Sequence, residues 1–329
     1  MTPRDVWPVL AVAAALALVP LVASNAALNF LVFVLIVALA AQGWNILGGY
    51  GGQFSFGHAA FFGTGAYACA ILQTRYGVNA WVAFALGVAA GSAVGWVIGY
   101  LSFRSGLRGS YFALVTLAFA EVLRILANAA PVTGGAAGLL VRLDPRPENM
   151  QFASRGASYL LVLAFVAAAL LLTRWIERSR FGAQLVALRE NEDAARALGV
   201  DTLRVKLRAI ALSAGITACA GGLYTQYFLY LDAGIAYGTW ISVEALLAPI
   251  VGGVGTAFGP LVGAVTLHGL GELAKGFTGR VPGLDLMVFG ALLVAAVAFA
   301  PDGVLGLLRR VATRRGRARR GRARRVAGA

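Results

Sequence analysis

Between Asp5 and Arg75 the chain carries no aspartate, glutamate, lysine or arginine. Such a run holds several apolar blocks near the ~20 residues that a helix needs to cross a bilayer. Similar blocks recur along the rest of the 329-residue sequence, which is 59% hydrophobic and only 13% charged, with a mean hydropathy of +0.77. Soluble domains devote roughly a quarter of their residues to charge. The chain therefore reads as an all-α, polytopic integral membrane protein. Both cysteines, Cys69 and Cys219, sit inside apolar runs with no second cysteine or histidine at metal-ligand spacing. They read as small buried hydrophobes.

Hydropathy places about ten crossings, at residues 7–23, 27–48, 58–73, 80–102, 110–128, 157–173, 208–231, 242–258, 259–273 and 284–300. The third, eighth and ninth are short or interrupted by glycine. The first follows Arg4 and is open to reading as a cleaved signal peptide; a retained helix is the preferred expectation. Domain organisation follows as a transmembrane unit over 1–308, containing a cytoplasmic loop at 177–207, and an arginine-rich tail over 309–329.

The formal net charge of +14 is unevenly placed, with ten arginines between Arg309 and Arg325. A tail of one sign, rich in alanine and glycine, reads as a solvated segment that also fixes its end of the chain in the cytoplasm. It is available to anionic lipid headgroups; nucleic acid is not an expected partner. Arg104 and Arg108 mark one short loop as cytoplasmic, and the arginine-dense loop from Arg174 to Arg208 a second. Both termini then lie inside, and residues 130–156 outside.

Within the second loop, NEDAARALG reads as a complete short helix. Asn191 is a suitable N-cap, Glu192 and Asp193 suit the positive helix start, and Gly199 suits the left-handed position after the end. A helix of two turns is not stable alone in water and must be held by neighbours. Ala194, Ala195 and Leu198 are expected on one face, where small side chains admit a close partner; Phe181, Leu185 and Leu188 give the preceding turns an apolar side. An amphipathic connector resting on lipid is the plainer alternative.

The pattern Asp193-Ala194-Ala195, three residues, then Gly199 resembles the "EAA…G" loop of ABC-importer permeases, with Asp193 in place of glutamate. In order along the chain, GQFSFGHAAFFGTGAYACAIL, LRGSYFALVTLAFAEVLR, TGGAAGL, SRFGAQLVALRENEDAARALGV and LLAPIVGGVGTAFGPLVGA resemble the permease family of branched-chain amino acid ABC importers. Ser55, Gly57 and His58 favour the M-type subunit over the H-type. The resemblance covers about Asn45 to Gly306. It implies a type II-like permease architecture in the bacterial cytoplasmic (inner) membrane. It further implies a homologous H-type permease, two cytoplasmic ABC ATPases and an extracytoplasmic substrate-binding protein as partners. Urea and short-amide importers have closely similar permeases, so that substrate class stays open. ATPase coupling is implied for Arg189, Glu190, Asn191, Glu192, Asp193, Ala194, Ala195 and Gly199.

No G-x-x-x-x-G-K-[ST] occurs, and the two lysines, Lys206 and Lys275, follow no such loop. The chain is thus expected to be no ATPase: ATP and Mg²⁺ belong to partners, and no cofactor or metal is expected here. The glycines of 48–57 and 252–259 read instead as two irregular segments within the membrane. Both begin Gly-Gly-x-Gly, a hint of an internal repeat. Ser55 with His58 invites a nucleophile reading, yet no orienting carboxylate is visible nearby, and helix packing or lining of a path is preferred; His268 has the same plain explanation. Ser55, His58, Phe62, Thr116 and Glu121 are the candidates for a translocation path. Glu121 is expected either to pair with Arg124 or to meet the ammonium of a zwitterion, while Glu244 and Glu272 are expected to reach the interface. An ion-coupled secondary transporter and an intramembrane enzyme are the rival functions.

Overall fold

The computed structural model describes residues 3–278 and isolated positions beyond them (287, 290, 291, 294 and 303–307). The expected tenth crossing at 284–300 lies largely, and the tail at 309–329 wholly, outside the described residues. The chain is almost entirely helical: α1 (Pro3–Ala17), α2 (Asn25–Trp44), α3 (His58–Tyr76), α4 (Ala80–Arg104), α5 (Gly109–Ala129), α6 (Arg155–Glu177), α7 (Arg180–Glu190), α8 (Glu192–Ala197), α9 (Thr202–Phe228), α10 (Ala233–Ala236), α11 (Thr239–Gly252) and α12 (Gly259–Thr278). Among the described residues a single antiparallel ladder pairs β1 (Leu139–Leu140) with β2 (Tyr230–Leu231).

Six stretches among the described residues are long and apolar enough to cross a membrane: Asn25–Tyr50, Ala80–Arg104, Gly109–Ala129, Arg155–Glu177, Thr202–Phe228 and Ala233–Gly252. The helices α3 and α12, at 19 and 20 residues, have the length but carry more polar and small residues. The shorter Val6–Leu21 stretch packs against α6, where Tyr159 donates to the Leu16 carbonyl at 3.0 Å. The bundle is layered about α2, α3 and α9. The apolar windows of α2 and α9 are 67% and 72% buried within this chain, against 28% for α5, so α5 lies on the outside.

The α4–α9 contact explains how the centre is so compact. Gly87, Gly91, Gly95 and Gly99 recur every fourth residue on α4 and so share one face. A Cβ at Gly91 or Gly95 would fall 2.3 Å from the Cβ of Ala218 or Ala214, and one at Gly99 would fall 2.5 Å from Ile210 Cγ2. Ile210, Ala214 and Ala218 repeat with the same period on α9. Lipid offers no hydrophobic drive for helices to associate, so close backbone approach along such a seam supplies the van der Waals energy instead.

Two helices break where the glycines stand. Helix α2 continues through a π-helical turn, Asn45–Tyr50, into irregular backbone up to Gly57. Helix α11 stops at Gly252, and α12 restarts at Gly259. Both segments are irregular, as expected, but their conformations differ: one widens a helix and the other reverses the chain.

Candidate functional site

The loop helices form as their cap residues dictate. Ser179 Oγ accepts from Gly182 N at 3.1 Å and starts α7. Asn191 Oδ1 accepts from Asp193 N and Ala194 N at 3.1 and 3.0 Å and starts α8. Gly199 takes a left-handed φ of +86°, and Val200 N closes the end on the Ala195 carbonyl at 3.1 Å. Leu185 and Leu188 are buried, with Phe181 packed against the same core, matching the apolar side expected for α7. The expected α8 face does not hold together. Ala195 is buried, whereas Ala194 is exposed and Leu198 is 87% exposed. Ala195 packs into the core, and its carbonyl is the one that closes the helix end on Val200 N.

A network of charges fastens α8. Glu192 Oε2 receives Lys206 Nζ at 2.6 Å and Arg108 Nε at 3.3 Å, while its Oε1 receives Arg196 Nη2 at 3.1 Å. Arg108 also reaches Asp193 Oδ1 at 3.3 Å. Lys206 was expected in the loop but lies buried on α9, its ammonium 5.3 Å from the centre of the Phe103 ring. Asp201 explains the shift: its Oδ1 caps Arg204 N at 3.0 Å and starts α9 well before the apolar run does. Asp193 is held below the ordinary carboxylate range, first by its hydrogen bond from Arg108 and then by that guanidinium's charge.

The end of α7 meets both glycine breaks. Arg189 Nη1 donates to the Gly49 carbonyl at 3.0 Å, while Nε and Nη2 bond Glu190 Oε1 at 3.2 and 2.8 Å. The Arg189 stem lies so near Gly52 (φ +65°) that a Cβ there would fall 2.7 Å from its Cγ. Asn45 completes the join, donating from Nδ2 to the Thr256 carbonyl at 3.0 Å and accepting from Gly255 N at 2.9 Å. Beside them Tyr50 OH bonds Glu177 Oε1 at 2.5 Å, and Arg174 bonds Glu177 Oε2 at 2.9 Å while lying over the Phe258 ring. Asn45 is absent from the sequence candidates; a polar side chain one turn before Gly48, at the end of a largely apolar helix, is the available signal for it.

Ser55, His58 and Thr116 come together at the start of α3. His58 is fully buried, with Nδ1 3.2 Å from Ser55 Oγ and Nε2 2.9 Å from Ser213 Oγ. Phe56 N donates to Thr116 Oγ1 at 3.2 Å and Trp44 Nε1 to the Ser55 carbonyl at 2.8 Å. Two serine hydroxyls thus occupy both imidazole nitrogens, so no carboxylate orients the ring as nucleophilic catalysis would require. Phe62 lies apart from them, lining a small apolar space with Tyr224, Trp240 and Glu244. Glu121 lies apart as well. Its two oxygens take bonds from Arg124 Nε and Nη2 at 2.9 and 2.5 Å on the exposed side of α5.

Glu244 departs from the expectation that it reaches the interface. Helix α11 begins at Thr239, and Glu244 points between α11 and α12 with Oε2 buried. Glu272 is exposed and pairs with Lys275 at 3.2 Å.

A bundle with six stretches long and apolar enough to cross a membrane, broken at two glycine segments that share ties to one loop, is a multi-pass membrane protein. Residues 26–297 match the family described as "Branched-chain amino acid transport system / permease component", and the chain belongs to that ABC-transporter family. It is similar to the high-affinity branched-chain amino acid transport system permease protein LivM of Salmonella typhimurium, with 28% identity over 317 residues, covering 88% of this chain and 72% of the relative. The permease protein BraD of Pseudomonas aeruginosa is 26% identical over 288 residues, covering 82% and 91%. LivH of Escherichia coli is 25% identical over 284 residues, covering 82% and 91%. The M-type likeness expected from Ser55, Gly57 and His58 holds along the chain.

Proposed function

We propose that this chain is the M-type permease subunit of an ATP-driven importer of branched-chain amino acids. It forms the translocation path with a homologous H-type permease. Two cytoplasmic ATPases dock on α8, and an extracytoplasmic binding protein delivers the substrate. Both ends of the chain and the α7–α8 loop face the cytoplasm of a bacterial inner membrane. The substrate assignment is supported by the names of the relatives, each a high-affinity branched-chain amino acid transport system permease protein.

The observation that carries the coupling role is the contact of Arg189 and Asn45 with both glycine breaks. An ATPase that closes on the exposed Ala194 and Leu198 moves α8. The α7 end follows, and Arg189 passes the displacement to Gly49 and, through Asn45, to the α11–α12 turn. Glu190, Asn191, Glu192 and Asp193 hold α8 in register during that movement. A two-turn helix offers a few kcal/mol of differential contact, enough to shift a two-state gate by on the order of 10²-fold. The residues Ser55, His58 and Thr116 act in this reading as the packed wall behind the path, and Glu121 as a paired surface group.

A mild-detergent pull-down of the tagged chain from its native membranes tests the assignment. Stoichiometric recovery of a second permease and two ATPases is the expected result. Reproducible recovery of the folded chain alone overturns it in favour of ion-coupled transport.

A further inference from the structure

Helices α11 and α12 are pressed together near their turn, where a Cβ at Gly263 would fall 1.7 Å from the Ala248 carbonyl and one at Gly252 would fall 1.8 Å from that of Gly259. Two turns further along, about 12 Å at 1.5 Å per residue, they open around a cavity of about 380 Å³. Glu244 of α11 and His268 of α12 stand side by side in its wall. Their closest atoms, Oε2 and Nε2, are 3.7 Å apart, and both are buried without a hydrogen-bond partner among the described residues. That separation is beyond a hydrogen bond. Ionisable groups inside a membrane are costly unless paired or wet, and those that persist there mark pathways and ligands.

The rest of the cavity is matched to a particular chemistry. Phe30 and Trp240 line it, Phe30 6.4 Å from the imidazole, and Phe33 of α2 packs behind them, 5.2 Å from His268 and stacked on Trp240 at 6.1 Å. Aromatic faces attract ammonium ions, the more so when water is excluded. Val243, Leu247 and Leu267 complete an aliphatic lining. At the far rim Glu272 and Lys275 lie on the same face of α12 as His268 and add a carboxylate and an ammonium. The site thus holds an anionic, hydrogen-bond-accepting pole in an aromatic frame, an apolar body, and a cation at its mouth.

We propose that this cavity is a substrate subsite for a zwitterionic amino acid with an aliphatic side chain. The ammonium meets the Glu244 carboxyl group and the His268 imidazole at the cavity wall, the side chain lies on the leucine and valine surface, and the carboxylate faces Lys275. The inference rests on the importer reading and gives it a place. A carboxylate–imidazole pair without a partner of its own is satisfied once per substrate and released again, which suits a path that must not bind tightly.

The test uses the complete importer in lipid nanodiscs and proteoliposomes. In nanodiscs without binding protein, 3-methylbutylamine is measured by equilibrium dialysis beside 4-methylpentanoate, which lacks the ammonium. The wild type is expected to bind the amine and not the acid, and Glu244→Gln to lose at least tenfold in amine affinity. In proteoliposomes with saturating binding protein, Glu244→Gln is expected to lower leucine uptake tenfold or more. ATP hydrolysis and co-purification of the partners stay within twofold, and Glu244→Asp recovers part of the loss. Absence of amine binding by the wild type overturns the proposal, as does wild-type leucine uptake in Glu244→Gln. Loss of partner assembly in Glu244→Gln together with no amine binding assigns the pair to the subunit interface, which also overturns it. Failure of the wild type to take up leucine at all strikes the importer reading instead, and the amine measurement still decides on the cavity.

Discussion

At the turn of the α11–α12 hairpin, backbones touch through glycine, and Asn45 and Arg189 pin the breaks to each other and to the loop. Two turns away, the same two helices line a cavity beside a carboxylate and an imidazole that make no hydrogen bond among the described residues. One end is built for shape and the other for occupancy. Polar groups whose bonds are all made rigidify their surroundings, while a buried group left unpaired is held at a cost and marks a place where something arrives. The difference sets a rigid turn next to the loop and an unpaired carboxyl–imidazole pair away from it, on one pair of helices.

Breaking the tight end carries the largest expected effect. In Gly263→Val the side chain has no room against the Ala248 carbonyl. Overpacking against backbone costs more than about 3 kcal/mol, so little folded protein is expected on fluorescence-detected size-exclusion chromatography. Arg189→Met keeps the aliphatic stem beside Gly52 but frees the Gly49 carbonyl, a loss of about 1–3 kcal/mol. Uptake is expected to fall at least tenfold while pull-down of the ATPases is unchanged; wild-type uptake removes Arg189 from the transmission. Gly199→Val meets no atom within 4 Å, so its cost is the left-handed backbone alone, about 1–2 kcal/mol. It is expected to impair coupling with membrane insertion intact, and Gly199→Asn, which tolerates that conformation, to retain most uptake.

The smallest effect concerns Asp193. Its folded-state pKa is depressed below the ordinary 3.8, chiefly by the Arg108 hydrogen bond. A depressed carboxylate stabilises the fold above its unfolded value, and the contribution is lost as pH falls through the folded one. The protection of the Glu192–Ala197 amides, measured against their intrinsic exchange rates, is therefore expected to fall as pH drops below about 4. Asp193→Asn, already lacking the charge, is expected to show a flatter response over that window.

Local chemistry was legible in the sequence wherever one side chain acts on its own backbone. Asn191, Gly199 and the neutral blocks announced α8 and the membrane helices because caps and hydropathy need no knowledge of neighbours. Lys206 was misplaced since hydropathy discounts a charged first turn, although Asp201 signals the earlier start. The outward turn of Leu198 was hidden because a helix of two turns has no unambiguous face until its docking is known. Gly87, Gly91, Gly95 and Gly99 displayed their period openly, but their partner Ala218 lies far along the chain. The meeting of Glu244 with His268 depends on the register of two antiparallel helices, which glycine contacts set and no local pattern encodes.

Between α7 and α8 stands one residue, Asn191, with φ −159° and ψ 106°. On one side of it, Arg189 belongs to the glycine breaks; on the other, Glu192 is bound to Lys206 and so to α9. Successive Cα atoms stay 3.8 Å apart whatever the dihedrals do. A knuckle of this kind cannot stretch. Under the coupling proposed above, it turns a push on α8 into rotation of α7, so the throw is an angle, limited by how far a single extended asparagine can swivel before its own cap bonds let go.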